Sequence, residues 1–230
     1  MNMSWELYQG DCLEVMRKIP DESVDAVITD PPYGIDYQSA WRTDRSEWKP
    51  KIANDKQPFI WWLHDAYRIT KPAGCLICFC RWDVQEAFKQ AIEWAGFKVK
   101  SQIIWNRQIH GMGDLKKSFA PQHDVIWFAT KGSFFFPNNR PQSIISIPRV
   151  DANSLVHPNE KPVELMKYLI SHLTNKKDMV IDPFSGSGST IQAAEQLERN
   201  SIGIELNPNY CEVIRRRMAA IETNLFHGGS

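Results

Sequence analysis

Nothing in the 230 residues approaches the ~20 consecutive apolar residues of a membrane helix, and no basic segment followed by a hydrophobic one opens the chain. The sequence reads as neither secreted nor membrane-embedded. Net charge is missing too: 27 Lys and Arg face 27 Asp and Glu, so a polyanionic partner must meet a local patch rather than a whole-molecule field. The five cysteines are odd in number and lack framework spacing, which places them as reduced thiols in a cytoplasmic setting. Cys75, Cys78 and Cys80 suggest a metal cluster until their apolar run is read as a strand. Alternation then puts Cys78 and Cys80 on one face and Cys75 on the other, so buried thiols are expected and no metal site. Repeats and low-complexity tracts are also absent.

What is present suffices for one large core, since 43% of the residues are hydrophobic. A single domain over 1–225 is expected, with 226–230 as a disordered tail. Strands are predicted at Trp5–Tyr8, 24–29, Cys75–Cys80, Val99–Trp105, Asp124–Ala129, Met179–Ile181 and Ser201–Ile204. Helices are predicted at Cys12–Ile19, Phe59–Thr70, Asp83–Trp94, from Lys161 through Leu173, at Ile191–Glu198 and from Tyr210 to about Ile221. The alternation implies a mostly parallel seven-stranded α/β sheet with helices on both faces, and Val99–Trp105 with Asp124–Ala129 can form an antiparallel hairpin. Residues 34–57 are polar with no period, and 130–156 are the least regular part.

Two strand ends concentrate polar residues that a core does not need. The run Val24–Ile28, broken only by Asp25, stops at Asp30-Pro31-Pro32-Tyr33, where neither proline can donate to a ladder. Asp30 and Tyr33 are thereby held on a stiff turn at a carboxyl end, where open α/β sheets bind ligands. The second end is Asp182-Pro-Phe-Ser-Gly-Ser-Gly-Ser-Thr190, where Gly186 and Gly188 admit a ligand to the backbone and a helix start favours a negative group such as a carboxylate. Glu205, at the end of the next strand, stands where an acid binds ribose hydroxyls. A phosphate loop is excluded, because the Gly-Lys-Ser/Thr ending is missing and no basic residue lies between 182 and 190. Asp182 and Glu205 would repel a pyrophosphate, whereas an adenosine bearing an ammonium and a sulfonium fits. That describes S-adenosylmethionine.

Asp30-Pro-Pro-Tyr33, His157-Pro-Asn-Glu-Lys-Pro162 and Asp182–Thr190, in that order, closely resemble the motifs of the beta-class amino-group DNA methyltransferases. In that family a Rossmann-like fold is circularly permuted, with the catalytic half ahead of the cofactor half. The resemblance covers nearly the whole chain and implies a cytoplasmic enzyme of prokaryotic or phage origin, from a restriction-modification system or solitary, with a homodimer possible. It carries the adenine-contacting acid onto Asp11, the ribose acid onto Glu205, and the cofactor loop onto Asp182, Phe184, Gly186, Ser187 and Gly188. Lys161 would help close the pocket around the methionine end, and His157 shapes the turn before Pro158. Asp30 and the carbonyl of Pro31 would accept the N–H groups of an exocyclic amine, Pro32 would fix the turn, and Tyr33 would stack on an extruded base. No cysteine stands in the Pro-Cys setting of ring-carbon cytosine enzymes, so no covalent intermediate is expected.

Asp at the first motif position favours N6 of adenine in this family, with N4 of cytosine as the alternative. RNA or protein-amide methylation and a non-catalytic DNA-binding relative are further alternatives. DNA contact is expected from the window Gly96–Arg149, which holds eight Lys or Arg against Asp114 and Asp124, a net of plus six. Arg107, Lys116, Lys117, Arg140 and Arg149 are candidates for phosphates, and Trp41 and Trp48 are candidate contact residues within a DNA-side loop. The target-recognition segment falls at 132–156, short for its purpose.

Overall fold

A computed structural model describes residues 5–34, 57–110, 116–151, 155 and 159–227, with side chains described to 221. Its centre is β2 (Val24–Thr29), whose Val24, Ala26, Val27 and Ile28 are all fully buried. A strand apolar on both faces needs cover on both, which is the situation of a parallel sheet interior. β2 accordingly pairs in parallel with β3 (Thr70–Cys80) on one side and β7 (Met179–Asp182) on the other. Outward from β7 come β8 (Asn200–Glu205) and then β1 (Trp5–Gln9), both parallel. Outward from β3 come β5 (His123–Thr130), β4 (Lys98–Asn106) and β6 (Ile144–Ser146), giving the order β1-β8-β7-β2-β3-β5-β4-β6.

Among the described residues the sheet has eight strands, not the seven expected. The extra one, β6, lies within the stretch read as irregular; with three residues it is too short to show a period, and only Ile145 is buried. β5 is antiparallel to both its neighbours, and β6 is parallel to β4, so among the described strands β5 alone runs against the others. The hairpin expected of β4 and β5 is therefore present.

Helices cover both faces. On one, α1 (Cys12–Met16), α2 (Leu63–Ile69) and α3 (Gln85–Trp94) bury Met16, Trp62, Leu63, Phe88 and Ile92 against Cys78 and Cys80. On the other, α4 (Val163–Leu173) and α5 (Ser189–Gln196) bury Leu165, Leu169, Ala193 and Ala194 against Cys75 and Ile77. The cysteine split follows the alternation, and all five thiols are free and buried. α6 (Pro208–His227) packs Ile214 and Met218 on Ile191 of α5, and it takes in Phe226 and His227 from the stretch assigned to a disordered tail. Among the described residues no helix is long and apolar enough to cross a membrane.

One turn signal proved to be a bulge. Lys71-Pro72-Ala73-Gly74 reads as a helix stop, yet β3 runs through it. The register jumps from Val24 beside Thr70 to Ala26 beside Cys75, and the extra residues loop out with Ala73 at φ 67°. A Cβ on Gly74 would stand 2.8 Å from the Asp25 carbonyl oxygen, so only glycine lets the chain return to the ladder there.

Candidate active site

The chain leaves β2 toward β3 and leaves β7 toward β8, so the sheet's direction of winding reverses between β2 and β7. In open α/β sheets a ligand crevice opens at such a reversal, beyond the carboxyl ends of the strands. Reading those ends across the sheet gives Asp11 after β1, Glu205 at the end of β8, Asp182 at the end of β7 and Asp30 after β2. Four acids in a row make this rim attractive to a cation and hostile to phosphate.

Asp182 and Glu205 are held by different means. Asp182 is buried, with Oδ1 accepting from the Thr29 hydroxyl at 2.7 Å and the Phe184 N–H at 3.1 Å, and Oδ2 from the Thr190 hydroxyl at 2.6 Å. Burial raises its carboxyl from 3.8 to about 6, against the pull of those hydrogen bonds. Its donors all come from the protein, so Asp182 ties β2, β7 and α5 together beneath the crevice. Glu205 accepts at Oε2 from the Gly186 N–H and at Oε1 from the Asn207 N–H, each at 2.8 Å. Each carboxylate oxygen has a second lone pair to offer, enough for two ribose hydroxyls. Burial raises this carboxyl as well.

Asp11 caps α1, accepting the Leu13 N–H at 2.8 Å, and the preceding Gly10 N–H donates to the Glu205 carbonyl at 3.0 Å. These bonds set the two acids side by side. In the loop after β7, Gly186 and Gly188 take φ of 51° and 84°, and Gly188 caps α5 in the left-handed region. Phe184 packs edge-on to Phe59 and Trp62, with ring centroids 6.0 and 5.6 Å away. Ser187 is buried, and its hydroxyl lies 3.5 Å from an Arg217 nitrogen. Ser189 Oγ, buried at the start of α5, has no hydrogen-bond partner among the described residues. The donor set suits S-adenosylmethionine: an acid with spare lone pairs, an unpaired hydroxyl at a helix start, and no cation within the loop.

Across the crevice, Asp30 accepts at Oδ1 from the Tyr33 hydroxyl and at Oδ2 from the Lys161 ammonium. Burial, then the Asp30 charge, pushes the Tyr33 phenol well above its ordinary 10.0, so it stays a donor. The Tyr33 ring meets Phe88 edge-on at 6.3 Å. Pro31 is buried, and the Pro32 carbonyl accepts the Phe59 N–H at 3.2 Å. Gly34 has φ 82°, and a Cβ on it would stand 2.1 Å from the Gln57 backbone, so the chain leaves the motif and returns to it at one point. Cys80, at the end of β3, is raised to about 12 by burial and then by the Asp30 and Asp124 charges; it remains a thiol at neutral pH and no nucleophile.

The basic window does not form one patch. Lys98 and Lys100 begin β4 at the opposite edge of the sheet. Lys131 follows β5 at that edge and donates to the Tyr67 and Thr70 carbonyls. Arg107 is half-buried, donating to the Pro121 carbonyl at 2.7 Å and lying 3.6 Å from Asp124. Because β5 runs backward, the β4–β5 connection, with exposed Lys116 and Lys117, is delivered to the same edge as Asp30. Exposed Arg149 follows β6 there, its N–H on the Arg107 carbonyl at 3.4 Å, whereas Arg140, exposed between the end of β5 and the start of β6, falls on the opposite edge with Lys131. Trp41, Trp48, Asp114 and His157 lie outside the described residues.

Sequence reasoning missed three features of the site. Arg217 of α6 bonds Glu160 at 2.6 Å, fixing the residue before Lys161, but it sits in an Arg215-Arg216-Arg217 run that reads as a solvated face. Trp82 and Phe119 are 64% and 100% exposed on the Asp30 edge, large apolar surfaces on the same side of the sheet as the crevice mouth. A lone aromatic in a loop gives no signal of which edge it reaches.

Residues 24–216 match the family model described as DNA methylase. The chain is 31% identical over 227 residues to the Escherichia coli (strain K12) protein YubD, covering 96% of this chain and 93% of that one. Among solved structures, the M1.HpyAVI complex with S-adenosylmethionine superposes with a TM-score of 0.71 at 26% identity, covering 93% of this chain and all of that one. The cytosine-N4-specific PvuII DNA methyltransferase shares the fold, with a TM-score of 0.75 at 19% identity over 94% of this chain and 87% of that one. By its sequence, its crevice and its fold, the chain belongs to the S-adenosylmethionine-dependent amino-group DNA methyltransferases.

Proposed function

We propose that this enzyme methylates N6 of adenine in DNA. The observation that carries the reading is the placement of Asp30 just past the end of β2, one strand from β7 and the Asp182–Thr190 loop, near enough for its charge to act on Asp182. An exocyclic amine is a poor nucleophile while its lone pair is delocalised into the ring. Asp30 and the Pro31 carbonyl accept its N–H groups and favour the tetrahedral nitrogen that can attack. S-adenosylmethionine, when bound, supplies an electrophilic methyl group on a sulfonium. Alignment of the two halves across the crevice and the charge of Asp30 provide the acceleration. Asp30 then stands ready to take the proton that the methylated nitrogen releases.

A base inside a duplex cannot reach this crevice, so it is extruded, and Tyr33 offers it a ring. Lys116, Lys117 and Arg149 are assigned to phosphates and, within 132–156, the stretch that follows β6 to target recognition; Arg140, between the end of β5 and the start of β6, is on the opposite edge and is not among them. Asp at the first motif position supports adenine; the fold shared with a cytosine-N4 enzyme keeps N4 of cytosine as the second reading. The test is to incubate the protein with labelled S-adenosylmethionine and unmethylated DNA and analyse the nucleosides. N6-methyladenine is expected. N4-methylcytosine alone overturns the adenine reading, and label only in RNA or protein overturns the DNA reading.

A further inference from the structure

We infer that Lys161 is a base-reading donor. Resting on the proposal that Asp30 receives the target amine, it places the ammonium against the ring nitrogen beside that amine. The family resemblance puts Lys161 with the cofactor, but its ammonium is engaged by Asp30 Oδ2 and lies 5.1 Å from the Phe79 ring centroid. Both side chains are largely out of solvent, Lys161 at 10% and Asp30 at 18% exposure, so the pair is weakly screened. The backbone on either side is fixed: Glu160 is held by Arg217 at 2.6 Å, and Pro162 caps α4. Lys161 is thus a positioned cation rather than a solvated one.

Its use follows from counting donors and acceptors. An ammonium has three N–H groups, and Asp30 takes one; a carboxylate has about four acceptor sites, and Tyr33 and Lys161 take two. What remains is an acceptor and a donor side by side. Adenine offers the complement in N6–H next to N1, and cytosine offers it in N4–H next to N3. On the same Watson–Crick edge guanine (O6 beside N1–H) and thymine (O4 beside N3–H) reverse the pattern, with a carbonyl beside a ring N–H. They would set a carbonyl against the carboxylate and an N–H against the ammonium, a mismatch worth orders of magnitude in discrimination. The pair has no net charge, so the ammonium's pull on the ring is offset by the carboxylate's pull on the amine hydrogens.

The test uses the full chain and a duplex carrying the site mapped in the nucleoside experiment. The target adenine is replaced by 1-deazaadenine, which lacks N1, or by 3-deazaadenine, which keeps it. We expect the wild type to slow about tenfold or more on the 1-deaza duplex and little on the 3-deaza duplex. Lys161→Met should slow by a similar factor on adenine, show no further loss on 1-deazaadenine, and bind S-adenosylmethionine by calorimetry as the wild type does. Lys161→Arg should recover part of the rate. Losses that multiply between variant and analogue overturn the inference, as does a fall in cofactor affinity that accounts for the fall in rate. Equal wild-type rates on adenine and 1-deazaadenine overturn it without any variant having to fold. No transfer by the wild type to any DNA removes the DNA reading, and this inference with it.

Discussion

Thr29, the last residue of β2, donates its hydroxyl to Asp182 at the end of β7 across the reversal of the sheet, at 2.7 Å. This bond joins the acceptor strand to the cofactor strand beneath the crevice. Thr29→Val keeps the shape and removes the donor, leaving a buried carboxylate one partner short. A loss of about 1–3 kcal/mol is expected, read as an earlier urea midpoint, together with slower turnover. Unchanged values of both would refute the bridge.

Asp182 should also give stability a pH dependence of defined sign. Its folded carboxyl titrates at about 6 against an ordinary 3.8, so between those values the folded state holds a proton that the unfolded state has lost. Stability therefore falls as pH rises from about 4 through 6, by up to about 3 kcal/mol. Below that window the penalty is absent, and above it the penalty is complete. Melting wild type and Asp182→Asn across pH 4 to 7 checks this: the wild type should lose ground relative to the variant as pH rises, and parallel curves would contradict it.

Glu205→Gln replaces one of two acceptor oxygens by a donor that faces a backbone N–H, of either Gly186 or Asn207. Affinity for S-adenosylmethionine should drop by about tenfold or more, measured by calorimetry. Asp30→Ala should do the reverse, abolishing turnover while leaving cofactor affinity nearly intact.

The basic residues divide by exposure and by edge. Lys116 and Lys117 are exposed on the Asp30 edge, so changing both to Ala should weaken DNA binding on all sequences and flatten the log affinity against log salt slope by about two. Arg107→Ala should instead lower the melting temperature, because the guanidinium supports the Pro121 carbonyl and Asp124. A large loss of DNA affinity in Arg107→Ala at unchanged stability would reverse that division.

Gly203 fits where nothing larger does: a Cβ there would lie 2.2 Å from Ile191 Cδ1 and 2.7 Å from Ser185 Oγ. Gly203→Ala must displace the Ile191 side chain and the Ser185 hydroxyl, at a cost of about 1–3 kcal/mol. Because Ser185 opens the cofactor loop, cofactor affinity should fall along with the melting temperature.

Legibility in the sequence followed length and composition. β2 announced itself because four of its six positions are apolar and two prolines end it; β6 did not, because three residues carry no period. Asp30, Asp182 and Glu205 were readable as strand-end acids, since the strands before them were. Their order across the rim was not, because neighbours in the sheet are far apart in the chain. Lys161 reached Asp30, and Arg107 turned inward, through partners 131 and 14 residues away, which no local pattern encodes. The net charge of the basic window was legible, but the reversal of β5 decided which part of it shares an edge with the crevice.

The meeting of Gly34 with Gln57 leaves no room for a side chain at residue 34, where a Cβ would stand 2.1 Å from backbone. The turn that carries Asp30 and Tyr33 is thus closed by an absent side chain, and any residue larger than glycine would have to pry the two backbone segments apart.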